Sequence, residues 1–225
     1  MTVEMLHTTF TRGRMENQWL KAAKRLNALS ETGKQFTQDK FDQERYHEIS
    51  EISVELLASL SEVPISVIKG LVKVGVKGYE TPKVDVRGAV FYHNKILLVR
   101  EKGDGLWSLP GGYADVGLTP SENIEKEIRE EACLVVKAKS LYSVRHKARG
   151  SYDPDTLDYY KLFFLCEAIN GSEVSPGMEI SEVGYFDAEN IPPLSTNRVV
   201  LTDLLEAWEC PVSYTHLTLP TIYSV

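Results

Sequence analysis

The segment that begins at Thr119 restricts the possible folds of this chain more than any other. Thr119 suits the N-cap of a helix, Pro120 would follow at the first helical position, and Glu122 falls at the third. Threonine and glutamate at these positions form a capping box, and proline at the first position already has a helical φ. The sequence therefore predicts a helix with a well-defined start at residue 120.

Three glutamates lie on one side of this helix, beside an apolar stripe that includes Ile124 and Ile128. At about 100° per residue, Glu127, Glu130 and Glu131 fall within about a third of the helix circumference. Like charges at these spacings destabilise a helix, and their place in its C-terminal half also opposes the helix dipole. A bound Mg²⁺ or Mn²⁺ would offset both costs, because these ions take carboxylate oxygens. A solvated acidic face is the alternative interpretation.

A pair of glycines precedes the helix. Gly111 and Gly112 follow Pro110 and lead into a loop that ends at Gly117. Glycine lets the backbone approach a phosphate or a metal ion closely. A glycine pair, a short loop, a capped helix and a glutamate row in this order resemble the Nudix box, G-x5-E-x7-R-E-U-x-E-E-x-G-U, in which U is aliphatic. The sequence from Gly112 to Leu134 follows this pattern, and its helix core EIREE matches fully.

The resemblance implies a fold, a cofactor and a set of site residues. The implied fold is α+β, the Nudix α/β/α sandwich with a mixed sheet. The implied reaction is hydrolysis of a pyrophosphate bond by water with Mg²⁺, or alternatively Mn²⁺. Glu127, Glu130 and Glu131 would bind the metal ion together with the carbonyl of Gly111. The same three glutamates and Lys126 would form the catalytic set.

Three positions depart from the pattern. Leu118 stands where the box has its first glutamate, so a carboxylate that braces the loop is missing. Lys126 replaces an arginine, which keeps the charge but loses the planar fork that pairs with carboxylates. Cys133 replaces the late glycine, which raises the cost of a left-handed conformation at the helix end. None of these changes removes a metal ligand, so we expect metal binding to survive and the catalytic rate to be affected.

The hydrophobic pattern changes from helical to β-rich near residue 83. Residues 16–78 are predicted to form a small N-terminal helical region, and residues 83–210 the Nudix domain. Residues 1–15 are interpreted as a non-native or disordered leader, and residues 211–225 as a non-native tail. Within these limits we expect helices at 16–30, 41–60, 61–75, 119–134 and 197–208, strands at 84–92, 95–101, 136–147, 158–169 and 179–187, a hairpin turn at His93-Asn94, and a loop at 106–117.

Charge and cysteine content exclude several classes of protein. The net charge is −7 and no run of basic residues occurs, so the electrostatic footprint of a nucleic-acid binder is missing. No apolar run approaches the roughly 18 residues of a membrane span. The three cysteines are widely spaced and form neither a disulfide framework nor a zinc pattern. They favour a reducing compartment, so we expect a cytoplasmic protein.

Arginines and aromatic residues near the predicted site are candidates for substrate binding. Arg87 and Arg100 lie on the two hairpin strands, where they would contact phosphates or a base. The alternative is a surface arginine in each case. Trp107 and Tyr113 flank the glycine pair and could stack a base, although packing is the favoured interpretation. The weaker candidates, for which a bystander role is favoured, are Glu179, Glu182, His146, Tyr160 and Lys161.

The N-terminal helical region and the stretch TPKVDVRGAVF that follows it resemble one subgroup of Nudix hydrolases. That subgroup acts on a nucleoside diphosphate linked to another moiety, and its relatives include ADP-ribose and CDP-choline pyrophosphatases. The expected product is a nucleoside monophosphate. The alternatives are a MutT-like nucleoside triphosphate pyrophosphatase, a nucleotide-sensing module without turnover, and a scaffold. The apolar faces of the N-terminal helices are too small to form a core of their own. We therefore expect a homodimer whose partner shapes part of the site.

Overall fold

The computed structural model of the chain describes residues 17–61, 64–72, 81–169 and 171–210. The predicted leader and tail lie outside these residues. The helices are α1 (Gln18–Phe36), α2 (Lys40–Ser61), α3 (Ile65–Val72), α4 (Pro120–Ala132) and α5 (Leu201–Glu209). The strands are β1 (Lys83–Tyr92), β2 (Lys95–Glu101), β3 (Trp107–Ser108), β4 (Val136–His146), β5 (Tyr159–Ala168) and β6 (Ile180–Phe186).

Local sequence signals explain most of these boundaries. His93 and Asn94 both have positive φ, 48° and 61°, which is the conformation of the tight turn that joins β1 and β2. Three predictions were wrong in detail. The helix predicted at 16–30 continues to Phe36. The loop at 106–117 contains the short strand β3, and α5 begins at Leu201 rather than at residue 197. The late start has a local cause, because the Asp203 carboxylate accepts the N–H of Val200 at 2.9 Å and so caps the helix there.

Six strands form one mixed sheet in the order β3-β2-β1-β5-β4, and β6 also pairs with β2. The β2–β6 pairing is antiparallel and runs from Ile96, opposite Phe186, to Glu101, opposite Ile180. The strand β2 thus pairs with β1 on one side and with β3 and β6 on the other. This arrangement places the ends of β1 and β2 beside the glycine loop that precedes α4.

Helices α4 and α5 pack through residues that face opposite sides of β1. A side chain at Gly88 would meet Ile128 of α4 at 2.6 Å, so only glycine permits this close helix approach. The next residue, Ala89, belongs to the core that contains Leu204 of α5. Successive residues of a strand point to opposite faces, so the two helices cover the two faces of the sheet. The α/β/α sandwich predicted from the sequence is confirmed.

The chain separates into two compact units. Of the described residues, one unit comprises those from 17 to Val84 together with Arg145–Tyr160, and the other comprises Asp85–Val144 and those from Lys161 to 210. In the first unit, Lys24 of α1 forms an ion pair with Asp158 at 2.5 Å. The segment Arg145–Tyr160 is therefore connected to the helical region by a direct charge contact.

The contact between α1 and α2 combines an apolar cluster with buried polar side chains. Its apolar cluster consists of Leu20, Ala23, Val54, Leu57 and Ile68. Asn27, Ser30 and Ser53 are buried beside it, and the Ser53 hydroxyl donates to the Asn27 side chain at 3.3 Å. The larger apolar side chains of α1 point elsewhere.

An exposed apolar row, which we call the outer seam, runs along α1. It consists of Trp19, Ala22, Leu26, Leu29 and Phe36. Leu26 is 40% exposed, Leu29 47%, and Trp19 and Phe36 about two thirds. The spacings of three, four, three and seven residues are those of a coiled-coil contact row. The outer seam is therefore an exposed apolar face in a single chain.

Among the described residues, none of the helices combines the length and the apolar composition that a membrane span requires.

Candidate active site

The loop before α4 is held by the helix that follows it. Thr119 caps the helix as predicted: its hydroxyl accepts the Glu122 N–H at 3.2 Å, and the Glu122 carboxylate accepts the Thr119 N–H at 2.7 Å. Asn123 is fully buried and bonds to the loop four times. It accepts the Asp115 N–H at 2.8 Å and donates to the carbonyls of Asp115, Leu118 and Thr119. Asn123 therefore braces the loop in which Leu118 replaces a glutamate.

The glycine loop runs alongside β1 and reaches the glutamate row. The N–H groups of Val86 and Gly88 donate to the carbonyls of Gly112 and Pro110, at 2.8 and 3.0 Å. Between these two contacts, the Gly111 N–H donates to Oε2 of Glu131 at 2.8 Å. Gly111 has φ +142°, and a Cβ there would lie 2.0 Å from the Val86 carbonyl oxygen. Only glycine can make this close approach.

Burial changes the acidity of two of the glutamates. It raises the pKa of Glu131 to about 7, against the opposing attraction of Arg87. It also raises the pKa of Glu127, with Lys126 opposing the shift and Glu130 adding to it. Glu130 itself is exposed, with half of its side-chain surface open. The row therefore runs from a desolvated carboxylate at Glu131 to a solvated one at Glu130, as its position beside the apolar stripe predicts.

The ammonium group of Lys126 lies among three carboxylates. Its Nζ is 3.0 Å from Glu130, 3.2 Å from Asp115 and 3.7 Å from Glu127. Hydrogen bonds to Glu130 and Asp115 raise the pKa of Lys126. Carboxylates from the helix and the loop thus converge on a single cation, which Lys126 supplies from within the chain.

These residues fit a divalent metal ion, although not in their present rotamers. Within residues 17–61, 64–72, 81–169 and 171–210, no three His, Cys, Asp or Glu side chains are gathered closely enough to hold one. The Glu131 carboxylate is directed to the Gly111 N–H, and the carboxylates of Glu127 and Glu130 to Lys126. The donors are hard oxygens, which suit Mg²⁺ or Mn²⁺. The Lys126 ammonium shows that a cation is stable among them.

A buried network of charges lies behind the glycine loop. Arg87 donates from Nε to Asp85 at 3.0 Å and from Nη1 to the Leu109 carbonyl at 3.2 Å. Lys161 forms an ion pair with the other oxygen of Asp85. The three charged side chains are almost fully buried. Burial lowers the pKa of Arg87, but the carboxylates of Asp85 and Glu131 outweigh it and the pKa is raised. With two cations and one anion, the network carries a positive charge beside Glu131.

The remaining predicted residues have other partners or belong to the other compact unit. Arg100 donates to Glu182 at 2.5 Å and to the Gly105 carbonyl at 2.7 Å. Trp107 packs edge-on against Phe186 in the core, which agrees with its favoured interpretation. Tyr113 is exposed beside the glycine loop and pairs with Asp85 through the backbone, and Glu179 accepts the N–H of Lys102 with its carbonyl. His146 and Tyr160 lie in the first unit, where their rings are in contact.

The sequence analysis missed three residues of this region. Asn123 braces the loop, Asp85 holds Arg87, and Glu101 lies within electrostatic range of Arg87 and Glu131. Burial raises the pKa of Glu101, while Arg198, which forms an ion pair with it, lowers it. A charged residue between Val84 and Val86 was the available signal for Asp85, whereas Asn123 follows Glu122 and has no such signal in its neighbours. Glu101 had none, because its partner Arg198 is distant in the sequence.

The end of α4 has a left-handed residue. Cys133 is the C-cap, with φ 52° and ψ 28°. The carbonyls of the last turn are satisfied by a later loop, since Gly177 N–H donates to Glu131 at 2.9 Å and Ser175 N–H donates to Ala132 at 3.1 Å. The helix that carries the glutamates is thus fixed at both ends.

Comparison with known proteins assigns this fold and site to a family. Residues 82–205 match the model of the NUDIX domain, and residues 17–72 match a model described as the UDP-X-like, N-terminal oligomerisation domain. The first match spans more than half of the chain, so the chain belongs to the Nudix family. The family uses divalent metal ions. The second match indicates that the chain forms oligomers.

Relatives narrow the assignment within the family. The chain is 43% identical over 185 residues to YjhB of Bacillus subtilis (strain 168), which bears the provisional name of an ADP-ribose pyrophosphatase; 82% of this chain and 88% of YjhB are covered. It is 36% identical to an ADP-ribose pyrophosphatase of Methanocaldococcus jannaschii, over 52% of this chain and 69% of that protein. The chain is a Nudix pyrophosphohydrolase.

A solved structure supports the same assignment over both regions. The crystal structure of a UDP-X diphosphatase covers 85% of this chain and 92% of its own, with 32% identity and a TM-score of 0.55. The structure of an ADP-ribose pyrophosphatase from Streptococcus suis 89-1591 covers 60% of this chain and 96% of its own, with 35% identity and a TM-score of 0.51.

Proposed function

We propose that this chain hydrolyses the pyrophosphate bond of ADP-ribose, or of a closely similar nucleoside diphosphate derivative, and releases a nucleoside monophosphate. The observation that carries the proposal is the hydrogen bond from Gly111 to Glu131. It brings the glycine loop and the glutamate row together, next to the positive charge of Arg87. Relatives named for ADP-ribose in two organisms support the choice of substrate.

Glu127, Glu130, Glu131 and the Gly111 carbonyl are the proposed ligands of Mg²⁺, with Mn²⁺ as a possible substitute. When bound, the ion would neutralise phosphate charge and activate the attacking water. The chain's own residues contribute positioning. Asn123 and the Gly111 N–H hold the loop against α4, so the ligands from both elements keep a fixed separation. Lys126 belongs to the same catalytic set through its contacts with the carboxylates.

Arg87 is the proposed contact for the anionic substrate. Its guanidinium donates hydrogen bonds to the Asp85 carboxylate and the Leu109 carbonyl, and it is attracted by the negative charge of Glu131. A pyrophosphate would be attracted to the same positive charge. Arg100 stays a proposed substrate contact of lower priority, because a phosphate would have to replace Glu182 there.

A UDP-linked substrate is the second candidate. The N-terminal match is described as UDP-X-like, and the UDP-X diphosphatase structure covers 85% of this chain. The nucleobase therefore has to be decided by assay. A panel of ADP-ribose, CDP-choline, UDP-sugars and nucleoside triphosphates, each with Mg²⁺ or Mn²⁺, separates these candidates. We expect the highest kcat/KM on ADP-ribose.

Three results of that assay would contradict the proposal. Preference for triphosphates would indicate a MutT-like enzyme, and preference for UDP derivatives would move the substrate to the second candidate. Tight nucleotide binding without turnover would indicate a sensing module. The Glu131→Gln variant serves as the control for the site, since full activity in that variant would refute the assignment of Glu131.

We further propose that the oligomer is a homodimer formed through the outer seam, by the helical region of residues 16–78. The exposed leucines and aromatic residues of α1 need a partner, and a second copy offers a surface with the same contact row. We also propose that the neighbouring subunit shapes part of the site of residues 83–210. Support comes from the N-terminal match to an oligomerisation domain.

Mutation of the seam tests the homodimer. Leu26→Glu and Leu29→Glu should convert the dimer to a monomer in light scattering. Gln35→Glu adds the same charge to an exposed position of α1 away from the seam, so it should leave the dimer intact. A monomeric wild-type chain, or a dimer that tolerates both leucine substitutions, would contradict the proposal.

We propose the cytoplasm as the compartment, because Cys133, Cys166 and Cys210 are all free thiols. Thiol titration of protein isolated from cells under alkylating conditions should find all three reduced. A mixed disulfide at exposed Cys133 in such protein would contradict a reducing environment.

A further inference from the structure

Lys126 occupies the position at which a cation would bridge the glutamates. Its Nζ is 3.0 Å from Glu130 and 3.7 Å from Glu127, and it also reaches Asp115 at 3.2 Å. Two of these three carboxylates are proposed metal ligands, and the third lies on the loop. Asp115 is about half exposed and bound through its backbone to Asn123, so its position is fixed independently of Lys126.

A divalent ion and the Lys126 ammonium would compete for these oxygens. A divalent ion that binds Glu127 and Glu130 would lie within a few ångströms of the ammonium, where like charges repel strongly. Lysine is a point charge on a flexible four-carbon stem, so it can leave one carboxylate for another. Asp115 offers it an ion pair outside the glutamate row.

We propose that Lys126 is an internal competitor for the divalent ion: without the ion it pairs with Glu130, Asp115 and, at a longer distance, Glu127, and when the ion binds it leaves the two glutamates and is retained by Asp115 alone. The inference rests on the metal ligands of the proposed function. It assigns Lys126 a role in setting metal affinity, and it makes Asp115 the residue that receives the displaced charge.

A role in positioning the glutamates predicts the opposite result. If Lys126 only oriented Glu127 and Glu130, its removal would disorder the ligands and weaken metal binding. If Lys126 competes, its removal frees the carboxylates and strengthens metal binding. The sign of the change in metal affinity therefore separates the two roles.

The experiment is titration of the full-length, metal-free protein with Mn²⁺ by calorimetry, without substrate. Lys126→Met should bind Mn²⁺ at least about tenfold more tightly than wild type, because one nearby positive charge is removed. Lys126→Gln should show the same direction. Lys137→Met is the matched control: Lys137 pairs with Glu125 of the same helix at 3.1 Å but contacts no proposed ligand. Its effect should be smaller than about twofold, since exposed pairs contribute little.

Asp115→Asn tests the displacement itself. With Lys126 present, it should weaken Mn²⁺ binding about three- to tenfold, because the displaced ammonium loses its partner. In the Lys126→Met background, Asp115→Asn should weaken Mn²⁺ binding less than about twofold. The effects of the two substitutions on Mn²⁺ affinity are then coupled. Circular dichroism of each variant verifies that the helices are retained.

Several results would overturn the proposal. These are an unchanged or weaker affinity in Lys126→Met, an equal gain in Lys137→Met, or an equal effect of Asp115→Asn in both backgrounds. Absence of Mn²⁺ binding in wild type and in Lys126→Met would overturn it together with the ligand assignment. Mn²⁺ binding with the expected pattern but no hydrolysis would leave the competitor role standing and would contradict only the proposed function.

Discussion

The backbone N–H of Gly111 and the carboxylate of Glu131 are joined by a hydrogen bond of 2.8 Å. This contact links a loop residue to a helix residue twenty positions later in the chain. It stabilises a carboxylate that burial otherwise disfavours, and it lowers the pKa that burial raises. A desolvated carboxylate with a single backbone donor is costly for folding and well suited to bind a cation.

The first prediction concerns that cost. The pKa of Glu131 is raised to about 7 from an ordinary value of 4.5. Between these two values the folded state holds more protons than the unfolded state, so the stability contributed by Glu131 falls as pH rises through this window. Glu131→Gln should therefore stabilise the metal-free protein at pH 8 by about 1–3 kcal/mol. At pH near 4.5 the gain should nearly vanish.

Urea unfolding with EDTA at several pH values measures this effect. The same variant should lose activity by about a hundredfold or more, as expected for loss of charge stabilisation at the reacting centre. An equal stability change at pH 5 and pH 8 would contradict the buried, proton-binding state of Glu131.

The second prediction concerns the conformation of Gly111. Its φ of +142° is forbidden to residues with a Cβ, and the new atom would lie 2.0 Å from the Val86 carbonyl. Gly111→Ala should destabilise the protein by at least about 3 kcal/mol and abolish activity. Gly117 also has a positive φ, +92°, but open space around it. Gly117→Ala should cost only about 1–2 kcal/mol. Thermal unfolding compares the two, and equal losses would show that the close contact with β1 is unimportant.

The third prediction follows from the left-handed conformation of Cys133. This conformation costs a residue with a Cβ about 1–2 kcal/mol. That cost exceeds the additional entropic free energy that glycine loses on folding. Cys133→Gly should stabilise the protein by about 0.5–1 kcal/mol. Cys133→Ala keeps the Cβ and removes only the thiol, so it should be neutral. Chemical denaturation of both variants under reducing conditions tests this, and a stabilised alanine variant would point to the thiol instead.

The fourth prediction concerns the buried charges of Asp85, Arg87 and Lys161. Asp85→Asn leaves two buried cations without a carboxylate between them and should cost about 3–5 kcal/mol. Lys161→Met leaves a neutral Asp85–Arg87 pair and should cost less than about 2 kcal/mol. The double variant should be more stable than Asp85→Asn alone, because one of the two unbalanced cations is gone. If the changes in the free energy of unfolding of the two single variants add up to that of the double variant, the three charges are not coupled.

The fifth prediction concerns the bracing of the loop. Asn123 is fully buried and makes four hydrogen bonds to loop residues 115–119. Asn123→Ala should cost about 2–4 kcal/mol, because several buried polar groups lose their partners. Leu118→Glu restores the glutamate of the family pattern at an exposed position. It should change kcat/KM by less than about threefold, well within the effect of one exposed contact. A large gain in activity would show that Asn123 does not replace the missing brace.

Local signals made the helix with the glutamates predictable, and distant partners made the rest of the site unpredictable. The capping box at Thr119 and the hairpin turn at His93 and Asn94 depend on residues next to each other in the sequence. The pairing of Asp85 with Lys161 joins positions 76 residues apart, and no local pattern records it. The strand β3 has two residues, too few for a period to be visible.

The helix α1 contributes Leu20 and Ala23, together with asparagine and serine, to its contact with α2, and tryptophan and leucine to its exposed side. If the outer seam forms the proposed dimer, part of the hydrophobic driving force of this region is released only on association, not on folding of a single chain. Folding and assembly of the helical region then share one equilibrium, in which subunit concentration enters directly. Dilution then lowers the stability of the helical region. The stability of the α/β/α sandwich, which has its own core, depends on protein concentration much less.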